Sequence, residues 1–421
     1  MNSPRLSLVH PTSNPFARNA AQALAEIGVL HEIITTTAYH PDGTIARFLQ
    51  QLPVSVSDPL QQELLRRAWP PPKGVPLRSY PWYEILRLAL LKLKVSQALK
   101  LGKHGPIDWV YKHLDRQVAA HHLNSITGIY AYEDGAASTF HAAKARGILC
   151  LYDLPILYYK MAQAIQREEA DQFPELACSL QAIQEPEWKL QRKQQEIELA
   201  DHIFVASSIT QQSLLTEGIS PNRITVIPYG SPTAYFYPLS KQDSTFRALF
   251  VGRVGARKGV HYLLDAWSKL ALPQSELMLV GVNEMPSHWW DKTPNSLRYI
   301  DSVPHHQLNH YYSQANVFVF PSLVEGFGLV LLEAMACGIP IITTPNTAGP
   351  DIITDGIEGF IVPIRDSLAL QEKIEWCYEH PTELAAMGQA ARKKAEQLSW
   401  SRYQTQLANT VQSLLADHRQ L

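Results

Sequence analysis

The feature that most constrains this chain is a recurring unit: a short apolar run, a loop, then a helix-forming stretch. LSLV (Leu6–Val9), ALFVG, LMLVG, VFVFPS (Val317–Ser322) and PIITT are short and mostly apolar. Runs of this kind suit strands buried on both faces, the mark of a parallel sheet covered by helices. Parallel neighbours cannot be joined by a tight turn, so a helix must cross between them. The opening RLSLVHPTSNPFARNAAQALAEIGVLHEIITT reads as a strand at Leu6–Val9, a helix at Ala17–Glu26 and a strand from Ile33 to Thr36. The pattern predicts an α/β fold of doubly wound, Rossmann-like domains, whose ligands lie at the carboxyl ends of strands. A chain of 421 residues has room for two such domains. The Pro-bearing polar stretch SPTAYFYPLSKQDSTF puts their boundary near residue 240, giving 1–240 and 241–399, with a helical tail from Trp400.

EGFGLVLLEAMACGIPIITT, Glu325 to Thr344, carries the clearest chemical signal. Gly326 and Gly328 permit a tight turn with open backbone N–H groups. Leu329 to Cys337 is apolar and helix-forming, and Gly338 with Pro340 ends it. Backbone donors of Gly326, Phe327, Gly328 and Leu329 at a helix start attract a phosphate-like anion. Eight helical steps rise roughly 12 Å, so Glu325 and Glu333 cannot share one small substrate. They suit opposite ends of a long, polar, phosphate-bearing ligand such as a nucleotide-sugar.

A second loop supports this. LFVGRVGARKGVHYLLDAW, Leu249 to Trp267, reads as strand, glycine loop and helix, with Gly252, Gly255 and Gly259 keeping the loop thin. Arg253 and Lys258 project cations that would stabilise the charge of a departing diphosphate. The spacing is neither G-x-G-x-x-G nor a Walker-type phosphate loop.

With these two motifs in hand, the chain resembles the retaining glycosyltransferases of family 4, strongly over about residues 200–400, through PSLVEGFGLVLLEAMACGIPII. The resemblance implies a GT-B fold, two Rossmann-like domains facing each other across a cleft, with the last helix, 400–421, crossing back onto the first domain. It implies that Glu325 contacts the donor sugar, Glu333 the ribose hydroxyls, and Arg253 and Lys258 the diphosphate. It also implies metal-independent transfer from a nucleoside-diphosphate sugar, most commonly of UDP, with no cofactor and with the leaving phosphate taking the acceptor proton. Family members usually carry a glycine-rich loop after the first strand; here the loop His10-Pro11-Thr12-Ser13-Asn14-Pro15 has none. That departure favours the rival reading, a non-catalytic GT-B module that binds a nucleotide or a partner. A phosphorylase would need a pyridoxal lysine that nothing marks, and an epimerase would not use the glutamate pair in this context.

In the first domain, His10 and Asn14 face the expected ligand edge, Asn14 being also an ordinary turn residue. Glu133 and Asp134 follow one strand, with helix capping or a turn as the competing role. Asp153 follows the next, where many family members place a histidine; it reads either as part of an acceptor pocket or as a helix cap. Residues 66–103 hold nine Lys and Arg against one acid, Glu84, with Trp69, Tyr80, Trp82 and Tyr83 interleaved. Ile85 to Leu101 within it reads as a basic amphipathic helix. Three uses stay open: docking on an anionic membrane surface, a solvated face of a packed helix, or an acidic-acceptor groove. The first would place the protein peripherally on the inner face of a membrane and suit a lipid-linked glycan, glycolipid or polysaccharide precursor as acceptor. Residues 161–199, rich in Glu, Lys and Arg, read as a solvated helical pair without chemistry.

The totals exclude several classes. Net charge of −2 argues against a nucleic-acid partner. The four cysteines, Cys150, Cys178, Cys337 and Cys377, form no C-x-x-C pair, which suits a reducing, cytoplasmic setting without structural zinc. No signal peptide or transmembrane-length run is apparent. His306 and His310 are four apart but lack the glutamate of an H-E-x-x-H site, so no metal is expected.

Overall fold

The apolar runs pair side by side in two sheets. This computed structural model describes residues 4–38, 47, 51, 68–92, 105–290 and 294–419. The first sheet contains β1 (Leu6–Val9), β2 (Leu30–Thr35), β3 (Leu77–Ser79), β4 (Gly128–Tyr132), β5 (Leu149–Leu154), β6 (His202–Val205) and β7 (Ile224–Val226), in the order β3-β2-β1-β4-β5-β6-β7. The second contains β8 (Phe246–Val251), β9 (Ser275–Val280), β10 (Leu297–Ile300), β11 (Val317–Phe320), β12 (Ile341–Thr343) and β13 (Gly359–Ile361), in the order β10-β9-β8-β11-β12-β13. The registered pairs are parallel, as in β1 with β4 and β8 with β11. Every residue of β1, β4, β5, β8 and β11 is buried. This is why these strands read as continuous apolar runs rather than alternating ones.

Both strand orders reverse once, at β1/β4 and at β8/β11. Connections leave in opposite directions there, and a crevice opens at the carboxyl ends. The expected elements fall close to place. The first helix is Pro15–Glu26, with proline in its first turn, and the helix after the glutamate loop is Leu329–Ala336. Ser207 caps the helix Ser208–Leu215 by accepting from the Thr210 N–H.

By compactness the chain divides into one unit of Met1–Leu154, Glu187–Phe204 and Gln404–Leu421 and another of Pro155–Pro186 and Val205–Tyr403. The sequence boundary near 240 follows a polar linker, whereas this division follows packing. In the first unit the tail helix Trp400–His418 sends Gln404 Nε2 to Asn19 Oδ1 at 2.7 Å, and His418 Nε2 lies 2.9 Å from the Gly147 carbonyl.

Residues 161–199 are not a solvated pair. In the second unit Glu169 is fully buried, held by His261 Nε2 at 2.5 Å and Arg365 Nε at 2.8 Å. In the first unit Lys189, Arg192, Lys193 and Glu196 are buried. Lys189 reaches Asp108 at 3.0 Å and Asp134 at 3.1 Å, and Lys193 reaches Glu133 at 3.3 Å. Charge in the sequence signalled solvent, but each charge here has an opposite partner, which makes burial tolerable. Of the basic segment, the helix Trp82–Lys92 is described, with Arg87 bonded to buried Glu84; residues 66, 67 and 93–103 lie outside the described residues.

Gly259 joins the β8 loop to the next helix with φ of 67°, and a Cβ there would stand 2.0 Å from the Pro321 carbonyl oxygen. The close approach brings the β8 and β11 loops together. Gly259→Ala is expected to lower stability by about 1–3 kcal/mol, measured by urea unfolding, because strain and overlap with backbone act at once.

Candidate functional site

The second unit's crevice is built from the loops that follow β8 and β11. After Val251 the chain turns through Gly252 and enters a short 3-10 turn, Ala256–Lys258, before the helix Val260–Ser268. The Arg257 carbonyl accepts from Leu323 N–H at 3.0 Å, and Arg257 Nη1 donates to the Val324 carbonyl at 2.8 Å. These bonds clamp the loop bearing Glu325 against the cationic loop. Lys258 Nζ contacts Glu325 Oε2 and lies 4.8 Å from the Phe320 ring centroid. Arg257 Nη1 is 3.7 Å from the same carboxylate oxygen. Arg253, more than half exposed, bonds Glu284 Oε1 at 2.6 Å.

Arg257 and Glu284 are members that sequence reasoning missed. Arg257 carried a signal, lying beside Lys258 in a glycine loop; Glu284 lies beyond β9 and reaches the site only through the fold. Burial pushes the Arg257 guanidinium down to about 10, with Arg253 adding to this and Glu284 opposing. Burial, then Arg257 and Arg253, holds the Lys258 ammonium well below its ordinary range. Crowded, half-dehydrated cations repel one another and gain from an added polyanion.

Gly326, Phe327, Gly328 and Leu329 form the turn into the helix Leu329–Ala336. The Gly326 carbonyl accepts from Ser207 Oγ and from Thr210 Oγ1 at 3.2 Å. A Cβ on Gly326 would stand 1.9 Å from the Pro155 carbonyl oxygen. Gly328 has φ of 87°, a left-handed conformation suited to glycine. Among the described residues, the N–H groups of Phe327, Gly328 and Leu329 have no acceptor. The Phe327 ring is buried, 5.0 Å from the Tyr229 ring.

Glu333 lies one helical face further on and is nearly buried. His305 Nε2 meets its Oε1 at 2.8 Å, and Tyr312 OH donates to its Oε2 at 2.9 Å. Each carboxylate oxygen retains a lone pair. Sequence reasoning weighed this histidine cluster only for metal; among the described residues no group of three or more metal-ligating side chains is found. The bond to Glu333 raises the His305 pKa above its ordinary value despite burial.

In the first unit the β1/β4 switch point gathers other residues. His10, at the end of β1, is buried with its ring 4.5 Å from Tyr132 and 6.5 Å from Trp69. Its Nδ1 faces the Thr12 carbonyl and its Nε2 lies 3.3 Å from the Asn14 amide nitrogen. Burial pushes its pKa to about 4, so the ring is neutral at pH 7. Asn14 makes no side-chain cap bond, and its buried Oδ1 has no partner among the described residues. Asp153 lies inside β5, which removes the helix-cap alternative; Tyr130 OH donates to its Oδ2 at 2.7 Å. Burial raises its pKa to about 7. Glu133 and Asp134 are instead engaged by Lys193, Lys189 and Arg192, and Asp134 N–H donates to Glu196 Oε2 at 2.9 Å.

Residues 234–394 match the family Glycosyl transferases group 1, and they include Arg253, Arg257, Lys258, Glu284, Glu325 and Glu333. The capsular polysaccharide biosynthesis glycosyltransferase CapM of Staphylococcus aureus is 28% identical over 221 residues, 47% of this chain and 57% of that protein. The D-inositol 3-phosphate glycosyltransferase of Thermobifida fusca is 29% identical over 261 residues, 56% of this chain and 58% of that protein. The chain thus matches somewhat more than half the length of these relatives.

Among solved structures, a sucrose-phosphate synthase from Thermosynechococcus elongatus aligns with a TM-score of 0.61 at 21% identity, covering 99% of this chain and 100% of that one. Anabaena HepE in complex with UDP-glucose aligns with a TM-score of 0.60 at 15% identity, covering 97% of this chain and 99% of that one. The fold is that of the GT-B class, built from two doubly wound α/β sheets.

Two outcomes follow from the titrating groups. Glu333→Gln removes the anion that sustains the His305 charge, so the His305 ring titration followed by NMR moves to lower pH. For Asp153, the folded pKa lies above the unfolded one, so the native state holds the extra proton between about pH 4 and 7. Stability from this group is therefore present at low pH and lost as pH rises through that window. Asp153→Asn, which retains an acceptor for Tyr130, should gain on the wild type in melting temperature from pH 4 to 7.5 and match it most closely at the acid end.

Proposed function

We propose that the protein is a glycosyltransferase that moves a hexosyl group from a nucleoside-diphosphate sugar to an acceptor hydroxyl with retention of configuration. The observation that carries this is the buried Lys258 set against Glu325, beside Arg257, Arg253 and the open N–H groups of the Gly326–Leu329 turn. Three cations and a turn of free donors are matched to a diphosphate, and a carboxylate directly beside them is placed for sugar hydroxyls. The group 1 family match over 234–394 and the sugar-transferring relatives support the same reading.

In this reading Arg253, Arg257 and Lys258 bind the diphosphate and take up the charge that grows on it as the anomeric C–O bond breaks. Glu325 orients the sugar. Glu333, held by His305 and Tyr312, accepts from the ribose hydroxyls. The new bond forms from the acceptor oxygen to the anomeric carbon on the face the phosphate leaves, and the acceptor proton passes to a leaving phosphate oxygen. No protein nucleophile, cofactor or metal enters the scheme. UDP is the nucleotide we assign, by likeness to the UDP-glucose complex of HepE. Acceptor contacts fall to His10, Asn14, Glu133, Asp134 and Asp153. Of these, Asn14 with its unpaired Oδ1 and Asp153 with its protonatable carboxyl are the better placed chemically; Glu133 and Asp134 are already held by cations.

The deciding measurement is calorimetric titration with UDP, GDP and ADP without divalent metal, alongside diphosphate release from the matching sugar donors. One diphosphate should bind selectively. Binding and turnover should fall at least about 100-fold in Lys258→Ala, since a charged, buried contact is removed from the developing charge. Wild-type turnover in both Lys258→Ala and Glu325→Ala would overturn the assignment.

We place the acceptor at an anionic membrane surface, as a lipid-linked or polysaccharide precursor. The helix Trp82–Lys92 supports this with exposed Trp82, Ile85 and Leu86 in a strongly basic segment. Among the described residues no helix is long and apolar enough to cross a membrane. Co-sedimentation with anionic vesicles should be strong at low salt and fall as salt screens the charges; indifference to vesicle charge would remove this part of the reading.

A further inference from the structure

A second cationic cluster lies in the first unit, away from every residue assigned above except Asp134. A cavity of about 190 Å³ is lined by Lys112, Arg116, Ser138, Trp188, Gln191 and Arg192, together with Asp115. The Asp115 carboxylate is already committed: its two oxygens take the Ser138 and Thr139 N–H groups, each at 2.8 Å, at the start of the helix Ala137–Lys144. Among the described residues no carboxylate lies within ion-pair distance of Lys112 or Arg116.

Arg192 is the unusual member. It is 7% exposed, yet its Nε and Nη1 are buried without a hydrogen-bond partner among the described residues. Its Nη2 donates to the Asp134 carbonyl and lies 3.4 Å from Asp134 Oδ1. Glu196 Oε1 is 3.8 Å from its Nε, close enough to balance charge and too far to accept the proton. Lys112 Nζ stands 3.2 Å over the Trp188 ring, and the Arg192 guanidinium is 6.0 Å from that ring centroid. Burial, then Arg192 and Arg116, holds the Lys112 pKa below its ordinary range, against the opposing pull of Asp108, which itself pairs with Lys189. Three cations therefore crowd one small cavity with their own acid already spoken for.

We propose that this cavity binds a phosphoryl group, as inorganic phosphate or a small phosphate monoester. Planar guanidinium forks from Arg116 and Arg192, the Lys112 ammonium and the Ser138 hydroxyl match a compact, multiply charged oxyanion. The volume is below the roughly 300–1,000 Å³ that drug-sized ligands occupy, which separates this site from one for a whole nucleotide-sugar. Occupancy offers acceptors to the two Arg192 nitrogens, Nε and Nη1, that have no partner among the described residues. It also fixes the guanidinium that holds Asp134, a residue at φ of 69° in the loop after β4. The site thereby couples a phosphorylated small molecule to the loop at the β1/β4 switch point.

The test titrates the full chain in a Lys258→Ala background, which weakens anion binding in the second unit, where Arg253 and Arg257 remain; the Lys112 and Arg116 substitutions then assign the signal to the first unit's cavity. Inorganic phosphate and glycerol 3-phosphate are added separately at constant ionic strength, with tryptophan fluorescence as the signal. Saturable binding below about 10 mM is expected. The signal should vanish in Trp188→Phe, and the Kd should rise at least tenfold in the Lys112→Gln/Arg116→Gln variant. These two side chains lie at the cavity rim, and thermal melting checks that the variant folds. Equal binding of both ligands identifies free phosphate as sufficient; tighter binding of the ester identifies a phosphorylated metabolite. No saturable change up to that concentration, or a change that survives in both variants, overturns the proposal.

Discussion

Everything in this molecule depends on one constraint: a parallel strand cannot return to its neighbour by a tight turn. Each connection must climb back over the sheet, and a helix is the economical way to do so with its backbone bonds internally satisfied. The loops that leave the carboxyl ends are then free to diverge, and they diverge most where the strand order reverses. β1/β4 and β8/β11 are those places, and the candidate residues of each unit collect there. The loops are held close by residues without side chains. Gly259 lies where any Cβ would strike the Pro321 carbonyl, and Gly326 where it would strike that of Pro155.

The second theme is charge taken out of water. The second unit buries Lys258 against Glu325, with Arg257 half-buried beside them, and buries Glu169 against His261 and Arg365. The first unit buries Lys189, Arg192 and Lys193 against Asp108, Asp134, Glu133 and Glu196. Such groups are costly unless paired, so their pairing specifies where loops lie more than it adds net stability. They differ in completeness. Glu169 accepts from His261 and Arg365 on separate oxygens, as a structural carboxylate should. The loop of Arg253, Arg257 and Lys258 carries more positive charge than Glu284 and Glu325 supply, which suits a site that awaits an anion.

Glu333 illustrates how a helix is used for positioning. Its carboxylate is fixed from two sides, by His305 and Tyr312, on a helix whose remaining surface is almost wholly buried. In the proposed reading, a ribose hydroxyl would meet acceptor lone pairs already oriented, without the entropy loss of freezing a mobile glutamate. The same economy is absent at Arg253, which stays exposed on its loop and is steadied only by Glu284.

By itself the sequence determined the α/β class, the strands that β1, β8 and β11 became, and the two motifs of the second-unit site. Local chemistry suffices for these, because apolar runs, glycines and helix signals act over a few residues. Only the tertiary structure decided which charges are solvated and which are buried. Residues 161–199 read as a wet surface because Lys189, Arg192, Lys193 and Glu196 find Asp108, Glu133 and Asp134 only after the chain has folded. It likewise decided that Asp153 is a buried strand residue rather than a cap, that Phe327 turns its ring into the core, and that Glu284 and His305 join the site. The pairing of distant charges is a long-range property. No window of sequence contains both partners, so no reading of windows can balance them.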